Sequence, residues 1–112
     1  MIDAKSPKRY RASQSEWSGI HQAFEDDRCW VCDEVWTELH HILARSHSGD
    51  DVVANLAPVC RECHARIEAR DSEARSLLRQ AFMPSNIAYL RSRLGYELEG
   101  FLERNYAERV MA

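Results

Sequence analysis

Apolar side chains recur at helical spacing near both ends of the chain and in short extended runs in the middle. Residues 14–26 place Trp17, Ile20, His21 and Phe24 on one face, with Ser13 or Ser15 available as N-cap, and predict a short helix. Residues 35–42 are rich in β-branched and aromatic side chains and predict a strand. Residues 46–51 are mostly small and polar, include Gly49, and predict a loop. Residues 52–59 predict a second extended segment, stopped by Pro58. A helix is expected from about Arg61, carrying Ala65, Ile67, Ala69 and Ala74, with a break near Asp71-Ser72 before it runs on to Phe82. Met83-Pro84-Ser85-Asn86 is a helix start, and Ile87, Leu90, Arg91 and Leu94 follow at helical spacing until Gly95 supplies a stop. Residues 96–111 predict a last helix with Leu98, Phe101, Leu102, Tyr106 and Val110 near one face. Two short strands embedded in helices make the class α+β, mostly helical.

A chain of 112 residues suits one compact domain. Its core is modest at that size, so a covalent or metal staple would help it. The longest purely apolar runs are a few residues, such as Val52-Val53-Ala54, far short of a bilayer span. The N-terminus has basic residues but no apolar run after them, so no signal peptide and a cytoplasmic location are expected. Residues 1–13 are expected to form a flexible basic arm, and residues 14–112 a single domain. Net charge is −3, which does not by itself point to a nucleic-acid partner. Residues 1–20 hold four basic and two acidic side chains, whereas residues 29–70 hold four arginines against seven acids. An acidic middle opposes electrostatic binding of DNA unless cations sit in it.

The four cysteines form two pairs, Cys29-Trp30-Val31-Cys32 and Cys60-Arg61-Glu62-Cys63. Two Cys-x-x-Cys turns suit tetrahedral zinc, because each turn points two thiolates at one ion. Disulfides and a redox pair are the rival readings. The first is disfavoured in a reducing compartment, and the second lacks the surrounding βαβ pattern. Four thiolates close the coordination sphere, so such a zinc would be structural.

His40, His41 and His64 then need another explanation. Neighbours on a strand point to opposite faces, so both rings could serve one site only where the strand ends or bends. His64 follows Cys63 directly, so the second cysteine turn would pin its backbone. The ordered set Cys29-x-x-Cys32, Leu39-His40-His41-Ile42, a glycine-containing loop, Asn55-Leu56 and Cys60-x-x-Cys63-His64 resembles the HNH endonuclease family in its four-cysteine zinc form.

That resemblance covers residues 29 to about 70, leaving residues 71–112 as a helical extension of the same HNH endonuclease domain. It implies a ββα-metal (His-Me finger) core stapled by a four-cysteine zinc site, with flanking helices. It implies that His40 and His64 hold a catalytic divalent ion, Mg²⁺, Mn²⁺ or Ni²⁺. His41 would be the general base, and Asn55 would brace the loop and orient His41 through a backbone hydrogen bond. Some family members place a further ligand at the position of Glu68, one helical turn after His64. The commoner Asp at the position of His40 is replaced here, which softens the donor set. Imidazole ionises near neutrality, and a divalent ion with open positions can neutralise a phosphate, so phosphodiester hydrolysis fits these residue types. Arg45, Arg61, Arg66 and Arg70, with Lys5, Lys8, Arg9 and Arg11 of the arm, are candidates to hold phosphates. Arm and helical tail also resemble small phage HNH proteins, which implies DNA as substrate, a role in packaging, and a large terminase subunit as partner. A non-catalytic zinc module that binds DNA or a protein would account for the cysteines but not for the histidines.

Overall fold

The computed structural model describes residues 8–108. Helix α1 (Gln14–Ala23) opens with a capping box, in which Ser13 accepts from the Glu16 N–H and Glu16 reaches back to the Ser13 N–H. An antiparallel pair follows, β1 (Glu38–His41) and β2 (Leu56–Val59). Its register sets Glu38 opposite Val59 and His41 opposite Leu56. Helix α2 (Arg61–Glu68) runs directly out of β2, and α3 (Ser72–Ala81), α4 (Pro84–Leu94) and α5 (Leu98–Asn105) complete the chain. This is an α+β fold built around a ββα unit.

The helical breaks fall where local chemistry places them. Asp71 caps α3 by accepting from the Ala74 N–H at 2.9 Å, after Arg70 takes a left-handed turn at φ 64°. Pro84 opens α4 and Gly95, at φ 57°, follows its end.

Three elements differ from expectation. The first strand is confined to Glu38–His41, because residues 29–34 close a tight turn in which the Cys29 N–H donates to the Glu34 carbonyl. The second is confined to Leu56–Val59, because Val53–Asn55 coil into a 3-10 turn that presents Asn55 inward. The last helix stops at Asn105 rather than near residue 111, and Tyr106 turns back into the core; residues 109–112 lie outside those described.

The expected arm also departs from expectation over its second half. The Asp51 carboxylate accepts from the Ala12 N–H and the Arg9 guanidinium, and the Tyr10 carbonyl accepts from the Asp51 N–H. Two adjacent carboxylates, Asp50 and Asp51, thus dock residues 9–12; residues 1–7 lie outside those described.

Val59, Ile67, Leu78, Leu90 and Leu98 are fully enclosed, at ~1.5–3 kcal/mol of burial each. They draw β2, α2, α3, α4 and α5 together. A second cluster of Ile20, Phe24 and Leu56, with Trp36 and Leu39 packed against it, seats α1 on the other side of the hairpin.

Candidate functional site

The four cysteine sulfurs converge, with one ligating atom from each within 4.8 Å of the others. Cys32 Sγ and Cys60 Sγ are 3.7 Å apart, against ~3.8 Å for the edge of a tetrahedron with 2.3 Å metal–sulfur bonds. None is in a disulfide. Backbone N–H groups of Val31 and Cys63 donate to Cys29 Sγ and Cys60 Sγ, as two tight turns around one ion would require. Burial opposes ionisation of Cys29, but surrounding backbone N–H groups outweigh it and bring the thiol down to about 7. Cys63 is pushed the other way by burial and by its three thiol neighbours. Four clustered sulfurs cannot all ionise without a cation among them, so the donor set fits a tetrahedral metal ion. The turns are tied to the hairpin, since Trp30 N–H donates to the Pro58 carbonyl and Thr37 N–H to that of Val59.

On the far side of β1, alternation divides the two histidines as a strand must. His40 is buried towards α2 and the end of α5, and His41 faces α1 and the loop before β2. A second cluster of donors forms around His40. One ligating atom each from His40, His64 and Glu68 lies within 4.8 Å of the others. Glu68 Oε2 is 3.7 Å from His40 Nδ1 and 3.5 Å from His64 Nε2. Donors ~2.1 Å from a shared ion stand roughly 3.4 Å apart in a tetrahedral arrangement, so a small contraction would close the site. Glu68, one turn beyond His64 on α2, joins the pair expected from the sequence.

The ring nitrogens facing away from this cluster are occupied. His64 Nδ1 lies 2.7 Å from Glu38 Oε1, and the imidazole and Arg61 hold the Glu38 carboxyl below its usual range. His40 Nε2 lies 2.8 Å from the Tyr106 hydroxyl, which also donates to the Ile42 carbonyl at 2.8 Å. Burial, with His64, Arg75 and His41 close by, lowers His40 to about 3. It is a neutral ring at neutral pH, as a metal ligand must be.

His41 stacks edge-on against Trp17, with ring centroids 6.2 Å apart, and its Nε2 lies 2.8 Å from Asp51 Oδ1. Burial would push Asp51 up, but the Ala12 N–H, His41 and Arg9 together hold it below its usual range, so it is ionised. A carboxylate accepts from Nε2–H, which leaves Nδ1 of His41 as the nitrogen able to take a proton. Burial lowers the His41 pKa, with Asp51 opposing.

Asn55 is fully buried and braces the loop with three bonds of its side chain. It accepts from the Leu43 N–H at 2.8 Å and donates to the carbonyls of Leu43 and Asp50, each at 3.0 Å. Its carbonyl accepts from the Ile42 N–H, not from His41. The side-chain partner of His41 is Asp51, whose role spacing did not suggest.

His40, His41, His64 and Glu68 open into one cleft of about 1460 Å³. Five arginines line it, Arg45, Arg70, Arg75, Arg93 and Arg104, against two acids, Glu68 and Glu97. The cleft is therefore basic although the chain is not. Three of those arginines come from residues 71–112, whose overall charge balance concealed them. Arg61 and Arg66 do not line it; they pair with Glu38 and with Asp71 and Glu73. His47 is exposed on its turn, and His21 packs between Trp17 and Trp36.

A hairpin and helix that turn two imidazoles and a carboxylate towards one point define a ββα-metal unit. Residues 27–70 match the family model described as HNH endonuclease, a likeness that supports a nuclease-type function in general. No curated protein and no solved structure matches the chain. The match spans both cysteine turns, the hairpin and α2, but neither Trp17 nor Tyr106, which contact its histidines from outside it.

Proposed function

We propose that this protein is a metal-dependent DNA endonuclease that hydrolyses phosphodiester bonds. One observation carries the reading: two imidazoles and a carboxylate gather in an arginine-lined cleft that His41 also lines. In this reading Cys29, Cys32, Cys60 and Cys63 hold a structural Zn²⁺ that ties the hairpin to α2. His40, His64 and Glu68 hold one divalent ion, Mg²⁺, Mn²⁺ or Ni²⁺, a donor set that suits the last two better than Mg²⁺. When bound, that ion neutralises charge on the phosphate and on the departing 3′-oxygen.

The chain's own residues do the rest. Asp51 holds the Nε2–H of His41, so Nδ1 accepts a proton from water as the water oxygen bonds to phosphorus and the P–O3′ bond breaks. Asn55 keeps the loop bearing Asp50 and Asp51 against β1. Arg45 and Arg104 offer exposed guanidinium groups to the DNA backbone. A role in phage DNA packaging, with a large terminase subunit docking on the C-terminal helices, is supported by the resemblance of the tail.

Supercoiled plasmid tests the reading. Protein stripped with EDTA but retaining zinc is incubated with Mg²⁺, Mn²⁺, Ni²⁺ or no added ion, beside His41→Ala. Nicked or linear product is expected from the wild type with added ion only. The variant is expected to be slower by the ~10²–10⁴-fold that a general base supplies. Full cleavage by His41→Ala would remove His41 from its role. No cleavage under any ion, with or without a large terminase subunit, would leave a zinc-stapled binding module.

A further inference from the structure

Tyr106 lies outside the matched stretch and contacts a candidate metal ligand, His40, directly. Its side chain is buried, and its hydroxyl sits 2.8 Å from both His40 Nε2 and the Ile42 carbonyl oxygen. A phenol has one hydrogen to donate, and a carbonyl can only accept. The hydroxyl must therefore give its hydrogen to Ile42 and accept from Nε2–H of His40. This assigns the tautomer of His40. Its Nδ1 then carries the lone pair, on the side of the ring that faces Glu68.

The placement of Tyr106 is itself built. Arg70 donates to the Arg104 carbonyl at 2.9 Å, and Arg75 donates to the Asn105 carbonyl at 2.7 Å. Arg75 also donates to the Ile67 carbonyl on α2 and lies over the Tyr106 ring, 5.3 Å from its centroid. Two arginines from the α2–α3 corner thus latch the end of α5, and the ring fills the space between Phe82, Phe101 and His40. Glu38 does the corresponding service for His64 from within the hairpin. A metal-bound imidazole is oriented by whatever holds its second nitrogen, and loss of that partner costs ~10–100-fold in metal affinity.

We propose that Tyr106 is a positioning residue for the divalent ion, holding His40 as the Nε2–H tautomer so that Nδ1 is presented to the metal. The C-terminal extension thereby completes a metal centre whose ligands all belong to the matched stretch. The inference rests on reading His40, His64 and Glu68 as that centre, and not on DNA cleavage.

The test uses the full chain with zinc in place and no DNA. Long-range ¹H–¹⁵N NMR of the wild type reads the His40 tautomer, and calorimetric titration with Mn²⁺ reads affinity for it and for Tyr106→Phe. The variant keeps the ring against its neighbours and removes only the hydroxyl. The Nε2–H form is expected in the wild type, a mixture of tautomers in the variant, and Mn²⁺ binding weakened ~10–100-fold. A wild-type ring protonated at Nδ1, or equal Mn²⁺ affinity in the two proteins, would overturn the proposal. So would weakened binding accompanied by loss of zinc or a large fall in melting temperature, which would assign the effect to packing. Metal binding as described by a protein that fails to nick plasmid would leave Tyr106 its role and sink the endonuclease reading alone.

Discussion

His40, His41 and His64 each have one ring nitrogen committed to a partner: Tyr106 for His40, Asp51 for His41 and Glu38 for His64. The histidines themselves are legible in the sequence, because a His-His pair and a His beside a cysteine turn are rare enough to stand out. Their partners are not. They sit 66, 10 and 26 residues away, and only folding makes them neighbours. Asp51 in particular looks like an ordinary loop carboxylate until the Arg9 guanidinium, the Ala12 N–H and His41 close on it. Its consequence for catalysis can be isolated with Asp51→Asn, which still accepts from Ala12 but no longer presents a charge to the imidazole. The base loses both its fixed tautomer and the countercharge that stabilises the protonated ring. The turnover number on plasmid is expected to fall about 10- to 100-fold, part of the ~10²–10⁴ that a general base supplies, with KM little changed. A rise in KM at constant turnover would instead make Asp51 a DNA-binding or purely architectural group.

Element order and helix starts could be read from the chain because each has a local cause: Ser13, Asp71 and Pro84 act within one turn of themselves. Strand lengths could not, since Val35 and Val52 have strand chemistry but adjoin the turns at residues 29–34 and 53–55. The loop between the strands is the clearest case. It reads as small and polar, yet it is held rigidly by Asn55, by Tyr89, whose hydroxyl donates to Asp50, and by Arg93, which donates to the Ser48 carbonyl. Gly49 marks how tight that packing is. A Cβ added there would lie 1.7 Å from the Leu43 carbonyl oxygen, a backbone atom that cannot swing aside. Gly49→Ala must shift the loop and with it Asp50 and Asp51, and is expected to cost about 3 kcal/mol of stability in urea denaturation. Gly19 is the internal contrast. It lies exposed within α1 with nothing within 4 Å of the added methyl, so Gly19→Ala should stabilise by ~0.5–1 kcal/mol through helix propensity. Equal effects at the two positions would show that the loop yields more readily than its contacts imply.

Charge is the property of the whole molecule that its sequence conveys least well. A net charge of −3 and an acidic segment around the cysteines argue against nucleic acid, and residues 71–112 carry as many acids as bases. Folding separates what composition averages. Acids such as Asp33, Glu34 and Glu62 stay exposed around the cysteine turns, while arginines from the α2–α3 corner and α4–α5 converge on the cleft. Not all of those arginines are free to bind a ligand. Arg70, Arg75 and Arg93 spend hydrogen bonds on backbone carbonyls, so removing them would disturb the fold. Arg45 is exposed and reaches no closer than 3.8 Å to Asp51, and Arg104 is exposed on α5, so these two can be removed cleanly. Each phosphate neutralised by a side chain releases condensed counterions, and the slope of log K against log salt falls by ~0.9 for every such contact on duplex DNA. Arg45→Ala and Arg104→Ala should therefore each weaken binding to a short duplex and shallow its salt slope by about one, with the two effects additive. Arg91→Ala, exposed on α4 and outside the cleft lining, is the control and should leave the slope unchanged. An equal loss at all three positions would mean that DNA is held by diffuse charge over the surface, and the cleft would lose its claim to be where the substrate lies.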